Sequence, residues 1–242
     1  MAELRLGVIS YCYHRESVTE VLGRVAALGL GHVELWYGHP DGRVHYGQAG
    51  ESAARQVRNE ARALGLDIPT FCIGGWDRVD LERFRRAIAF AQALGAETIS
   101  GCATPEVAEA AAPLFAAAGL RLGIENHKGN VFEKPADLLP VLARTDPAIG
   151  CNVDSGHFLA SGVDVLDAVR QLAGRIYHVH LKDVRGQAAA PVGAGDLPLA
   201  ALLGQLRATG FGGLLSIEHE IPGDPTDELR LSVANVRAAL AG

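Results

Sequence analysis

The feature of this chain that most restricts its fold is an unbroken alternation of short β-type runs with longer runs rich in alanine, leucine and arginine. The β-type runs lie at 4–10, 32–36, 67–72, 97–101, 120–125, 148–154, 175–181 and 213–218. Helical patterns fill the intervals, near 17–28, 51–64, 80–94, from about 105, then 135–143, 163–172, 197–208 and 226–239. One helix between successive strands returns the chain to the same end of the sheet each time, so the strands must be parallel. Eight such units close more naturally into a (β/α)8 TIM barrel than into an open sheet. No Gly-rich GxGxxG turn follows the first strand, which argues against a dinucleotide-binding fold. Most helical patterns stop at a glycine (Gly29, Gly65, Gly95, Gly119, Gly210), where a left-handed C-cap meets no Cβ clash. Ser17 is suited to cap the first helix, and Pro113 predicts a kink or break in the fourth. The 242 residues match one barrel of about 250. No Pro/Gly/Ser-rich linker divides them, so a single domain over 1–242 is expected.

Four of the β-type runs end in a residue able to bind a metal, about once per strand–helix unit. They are LRLGIE (120–125), IGCNVD (149–154), IYHVH (176–180) and LLSIE (214–218). Side chains alternate along a strand. With Tyr177, Val179 and Leu181 turned to the helices, His178, His180 and Lys182 face the barrel axis. The same alternation turns Gly123, Glu125 and His127, then Asp154, then Ser216 and Glu218 inward, and also Glu34. Glu125, Asp154, His180 and Glu218 therefore meet at the C-terminal rim, where barrels of this type carry their sites. Three carboxylates and an imidazole converging there call for a cation, and a divalent metal is the simplest one. Any one of them alone could instead be a solvated strand end or a helix cap.

The composition is 48% hydrophobic and 21% charged, enough for a large core. A net charge of −6 argues against nucleic acid or an anionic membrane as partner, and leaves a small sugar open. The opening MAELRLGVIS lacks a basic segment followed by a long apolar one, so no signal peptide is expected. No run reaches the roughly 18 apolar residues of a membrane span. Cys12, Cys72, Cys102 and Cys151 lack CxxC spacing and read as reduced thiols of a cytoplasmic protein.

Together, GIENH (123–127), DSGH (154–157), HVHLKD (178–183), GAGDLP (193–198) and LLSIEHE (214–220) resemble the xylose isomerase-like TIM barrels. That group holds sugar isomerases, sugar epimerases and apurinic/apyrimidinic endonucleases, and the resemblance covers essentially the whole chain. It implies that Glu125, Asp154, His180 and Glu218 bind one divalent ion, with Mn²⁺ expected and Mg²⁺, Co²⁺ or Zn²⁺ as alternatives. It implies that Glu125 and Glu218 also act as the two catalytic bases on opposite faces of a bound keto-sugar or cyclitol. One abstracts a proton next to the carbonyl, and the enediolate is reprotonated by the other (epimerase) or at the neighbouring carbon (isomerase). The resemblance makes His157 a substrate contact. Lys182, His127 and Glu34 join it as substrate-binding candidates, with buried structural roles open for His127 and Glu34. A carbohydrate is the expected ligand, and a homodimer or homotetramer is compatible with the resemblance.

Departures narrow the choice. The endonuclease pattern needs further histidines, yet 191–196 reads PVGAGD and the third strand ends in Cys72. A metal-dependent keto-sugar or cyclitol lyase or dehydratase shares the first proton abstraction and is the main alternative. A non-catalytic sugar-binding barrel is a third reading. Trp36 and Trp76 are expected at strand ends, as a sugar-stacking wall or as packing residues. The stretch 183–197 is expected as a long loop, either a lid or static, with Asp196 capping the next helix. Arg185 lies in it without a phosphate-binding sequence around it, so no sugar phosphate is expected.

Overall fold

The computed structural model describes residues 4–241; the first three positions of MAELRLGVIS, where no signal peptide is expected, lie outside the described residues. Eight parallel strands close into a barrel in the order β1-β10-β7-β6-β5-β4-β3-β2. They are β1 (Arg5–Ile9), β2 (His32–Trp36), β3 (Asp67–Trp76), β4 (Thr98–Ala103), β5 (Arg121–Glu125), β6 (Ile149–Asp154), β7 (Ile176–Leu181) and β10 (Leu214–Ile217). β8 (Asp183–Arg185) and β9 (Ala188–Ala190) form a small antiparallel hairpin above the rim. The helices are α1 (Val18–Ala27), α2 (Glu51–Ala63), α3 (Leu81–Leu94), α4 (Pro105–Ala118), α5 (Pro135–Arg144), α6 (Ser155–Ala160), α7 (Val165–Gln171), α8 (Leu199–Ala208) and α9 (Thr226–Ala241). Among the described residues no helix is long and apolar enough to cross a membrane.

Local chemistry explains most boundaries. Ser17 caps α1 through a capping box: its Oγ accepts from Glu20 N–H, and the Glu20 carboxylate accepts from Ser17 N–H at 2.9 Å. Val18, Val21, Leu22 and Val25 then form the buried stripe of α1, at the spacing of one helix face. All five glycines expected to end helices have φ between 66° and 85°. The main apolar core lies between sheet and helices, where Val8, Val33, Phe71, Ile99, Leu122 and Val179 are almost fully buried.

Three expectations need correction. Helix α4 runs through Pro113 without a break. Pro113 lies on the exposed side, so water can take the Glu109 carbonyl that loses its N–H partner, while Val107, Ala108, Ala111, Ala112 and Phe115 stay packed. The single helix expected at 163–172 is α7, and it is preceded by α6, which starts directly after Asp154. Asp196 does not cap α8; its carboxylate accepts from Gly186 N–H at 2.8 Å, and α8 starts after Pro198. The stretch 183–197 is non-helical, and it holds the β8–β9 hairpin. Buried Asp183 accepts four backbone N–H groups, from Val184 (2.8 Å), Leu197 (2.9 Å), Gly193 (2.9 Å) and Gly195 (3.0 Å). These bonds pin both ends of the loop beside β7.

Candidate metal centre and active site

Strands β10, β7, β6 and β5 are neighbours in the barrel, and each delivers one of the four expected ligands to its C-terminal end. Glu125 ends β5, Asp154 ends β6, His180 is next to last in β7, and Glu218 follows β10. Register pairs Asp154 with His180, and His180 with Ser216 two residues before Glu218. His180 is the hub. Its Nδ1 lies 2.9 Å from Glu218 Oε2, 3.8 Å from Asp154 Oδ2 and 3.8 Å from Glu125 Oε2. Asp154, His180 and Glu218 have donor atoms within 4.8 Å of one another, as do Glu125, Asp154 and His157. Ligand distances of about 2.0–2.2 Å separate donors around a divalent ion by roughly 3–4.4 Å, so the spacing suits one.

The residues also fit a cation electrostatically. Asp154 Oδ2 and Glu218 Oε2 are buried without a hydrogen-bond partner among the described residues; Nδ1 of His180 is close to Glu218 but out of hydrogen-bond line. Orphaned carboxylate oxygens facing one imidazole nitrogen are what a bound metal would satisfy. Glu125 pays for this crowding: burial, then the Glu218 and Asp154 charges, push its carboxyl up to about 8 against the pull of His180. Glu218 is pushed up by burial too, but His180 and Lys182 outweigh this and hold it below the usual carboxylate range. Cys72 and Cys102 border a cavity over these ligands, yet burial pushes the Cys102 thiol up to about 12 and Cys72 well above its ordinary value. A thiolate-rich zinc site is therefore not what this rim presents.

Glu34 is the main correction among the site residues. Alternation turns it inward, but below the site and not into it. It is fully buried, and both oxygens are occupied: Oε2 by His178 Nε2 (2.7 Å) and His180 Nε2 (3.0 Å), Oε1 by Ser100 Oγ (2.5 Å). No face remains for substrate. Burial opposes the Glu34 charge, but His178 and His180 together hold its carboxyl well below the usual range. With Nε2 held by Glu34, each imidazole has Nδ1 as its second ring nitrogen, and on His180 a bound cation would displace the Nδ1 proton and take that lone pair. For His180 that atom faces the three carboxylates; for His178 it lies 3.2 Å from Thr70 Oγ1. Glu34 thus orients the hub imidazole from behind, a role recurrent around metal-binding histidines.

The other candidates lie at the mouth. His157 and His127 both line a cavity of about 300 Å³ over the cluster, their ring centroids 3.7 Å apart. His157 N–H donates to Asp154 Oδ1 at 2.7 Å, so Asp154 caps α6 while its other oxygen stays free. Lys182 Nζ bridges Glu218 Oε1 (3.2 Å) and Glu220 Oε1 (2.5 Å). Gly156 makes room for it: a Cβ there would sit 2.6 Å from Lys182 Cγ. Trp36 and Tyr11 meet edge-to-face, 5.0 Å apart, on the wall of this cavity. Trp76 is instead almost fully buried against Phe84.

Three supports were not anticipated. Asn126 clasps the Asp154 backbone, accepting from its N–H (2.9 Å) and donating to its carbonyl (3.0 Å). Ser155 Oγ joins α6 to β7, accepting from Lys182 N–H at 3.0 Å. Asn152 lies between Glu125 and His180. Period-2 counting back from Asp154 would have turned Asn152 inward; nothing in sequence marks the other two beyond their motifs.

The sequence model of one family, described as a xylose isomerase-like TIM barrel, matches residues 22–239. The rhizopine catabolism protein MocC of Rhizobium meliloti is 35% identical over 98 residues, which is 40% of this chain and 30% of that protein. The chain thus matches less than a third of that relative's length. Among solved structures, the probable 3-DHS dehydratase AsbF of Bacillus anthracis has a TM-score of 0.80 at 18% identity, over 97% of this chain and 99% of that one. A D-psicose 3-epimerase crystallised in the presence of D-fructose has a TM-score of 0.80 at 17% identity, over 99% and 100%. At such identities the likeness is one of fold.

Proposed function

The chain belongs to the xylose isomerase-like TIM barrel family, and from that premise we propose that it is a divalent-metal-dependent isomerase or epimerase of a keto-sugar or cyclitol. The reaction begins with proton abstraction next to a carbonyl and passes through an enediolate. The observation that carries this reading is the placement of Glu125 and Glu218 at the two ends of the β5–β6–β7–β10 arc, with His180 between them.

Glu125, Asp154, His180 and Glu218 would hold the ion, proposed to be Mn²⁺. When bound it would supply a Lewis acid to the substrate's oxygens and stabilise negative charge as it develops. Glu218, ionised beside Lys182, takes the proton on one face of the ring. Glu125, at the opposite end of the arc, exchanges a proton on the other face. Lys182 also supplies positive charge near the forming oxyanion. His157 and His127 hydrogen-bond hydroxyls at the mouth, and the Trp36–Tyr11 wall limits access of water. A lyase or dehydratase acting on the same substrates would share the first step. The imidazole of His157 beside Asp154 favours keeping that reading, because it could hand a proton to a departing hydroxyl.

The test has two parts. Elemental analysis should find about one divalent ion per chain, and chelation should abolish turnover until Mn²⁺ is restored. Incubating ketoses, keto-glycosides and inosose-type cyclitols in D₂O should place deuterium at one carbon of the true substrate. The product then separates epimerase, isomerase and lyase. Turnover with no solvent exchange would refute the two-base mechanism and reduce both glutamates to ligands.

A further inference from the structure

A second cavity of about 430 Å³ opens beside the first and shares with it the wall formed by Cys102, Glu125 and Asn130. Asn130 Nδ2 contacts Cys102 Sγ at 3.4 Å, so this wall is tied across β4 and the loop after β5. The second cavity leads away from the four ligands, over the end of β3. Trp76 and Phe132, both almost fully buried, line it. Arg83, from the first turn of α3, lines it as well.

Arg83 is held in place but not neutralised. Asp80, the cap of α3, accepts from its backbone N–H at 2.9 Å. Its Nε donates to Tyr46 Oη at 2.8 Å, and the same oxygen accepts from the Trp76 indole N–H at 3.0 Å. Among the described residues neither of its Nη atoms makes a hydrogen bond or an ion pair. The carboxylates lining this cavity are Asp77 and Glu125, and neither lies within 4.0 Å of the guanidinium in an ion pair. A guanidinium anchored through Nε on the wall of a cavity lined by aromatic residues, with no partner on either Nη among the described residues, suits a carboxylate on a planar group.

We propose that this cavity is a specificity subsite, binding a planar substituent that bears a carboxylate and is attached to the ring held between Glu125 and Glu218. This rests on the functional reading above and deepens it by naming the substrate class. A plain monosaccharide would leave the second cavity empty. A keto-sugar or cyclitol carrying an aromatic or vinylogous acid would fill both cavities, with its carboxylate on Arg83 and its planar face against Trp76 and Phe132.

The chain has two tryptophans, and each reports on one cavity: Trp36 on the first, Trp76 on the second. The probe is benzoate, titrated into ¹⁵N-labelled full-length protein loaded with Mg²⁺, with benzyl alcohol as the neutral comparison. Indole resonances are assigned with Trp36→Phe and Trp76→Phe. The Trp76 indole signal should shift saturably with benzoate while that of Trp36 stays in place, and benzyl alcohol should bind roughly tenfold more weakly or worse. Arg83→Met should weaken benzoate by a similar factor, and Arg83→Lys by less, with an unchanged Trp36 signal reporting an intact fold. A Trp76 signal that never responds, or responds equally in Arg83→Met, overturns the assignment, as does benzoate acting on Trp36 alone. The two readings fail separately. Deuterium exchange without any Trp76 response removes the subsite and leaves the chemistry. Arg83-dependent benzoate binding in a protein that carries no metal and catalyses no exchange leaves an anion site and removes the sugar reading.

Discussion

Replacing Glu34 by glutamine would keep the shape beneath the candidate metal centre and remove its charge. Glu34 now accepts from both His178 Nε2 (2.7 Å) and His180 Nε2 (3.0 Å) in a region closed to water. Both rings share Oε2, while Oε1 accepts from Ser100 Oγ, so a glutamine carbonyl at the Oε2 position could still accept from both, with its amide NH₂ turned to the Ser100 hydroxyl. The geometry behind Nδ1, the atom that faces Asp154, Glu125 and Glu218, is then kept, and what is lost is charge. A neutral amide is a weaker acceptor than a carboxylate, so the full negative charge that makes this imidazole a better donor is gone. Losing such support typically lowers metal affinity by about 10–100-fold, or roughly 1.4–2.7 kcal/mol. The assay is competition for Mn²⁺ against a calibrated chelator at pH 7, with circular dichroism to confirm the fold. A folded Glu34→Gln protein that binds Mn²⁺ as tightly as the wild type would refute the argument that Glu34 sets the hub imidazole from behind.

Three further outcomes are expected. Asp183→Asn turns an NH₂ toward backbone N–H donors that now share one carboxylate; it should destabilise the fold by roughly 2–4 kcal/mol and open 183–197 to protease, measured by urea midpoint and limited proteolysis. An unchanged midpoint would show that the loop is held by other contacts. Gly156→Ala places a Cβ 2.6 Å from Lys182 Cγ and should displace that side chain, lowering kcat by about 10²-fold with metal content retained; loss of metal instead would place Lys182 outside the chemistry. His39 is buried, its Nδ1 donating to the Glu16 carbonyl (3.0 Å) and its Nε2 accepting from Ser10 (2.9 Å), and desolvation depresses its pKa below 6.5. The unfolded chain therefore takes up this proton first as pH falls, so the stability from neutral His39 is complete above about pH 6.5 and is lost below it, by at most about 1.4 kcal/mol per pH unit. Urea midpoints from pH 7.5 to 5.0 should fall more steeply for wild type than for His39→Gln, and equal slopes would contradict this.

The rhythm of strands and helices was legible because it rests on short-range physics. Period-2 alternation fixes which side of a strand a residue faces, glycine tolerates a positive φ at a helix end, and Ser17 with Glu20 forms its cap within four residues. The same alternation was enough to bring Glu125, Asp154, His180 and Glu218 to one rim, because a closed parallel barrel aligns all strand ends. Alternation says nothing of depth along the axis, and there the tertiary structure decided. Glu34 and His180 both face inward, but Glu34 meets the imidazole at Nε2 while the three carboxylates face Nδ1, so it can only support the ring. Trp36 and Trp76 both lie at strand ends, yet the extension of β3 through Gly74 and Gly75 carries Trp76 into the packing layer and leaves Trp36 on the cavity wall. Asp183 and Asp196 are equally good caps by composition; only the fold of 183–197 directs four N–H groups onto the first. Pro113 keeps its helix because the carbonyl it orphans faces water, a fact of surroundings and not of sequence. The chain by itself determined which residues share a face. What each one touches, and so whether it binds, supports or packs, required distances between segments far apart along the chain.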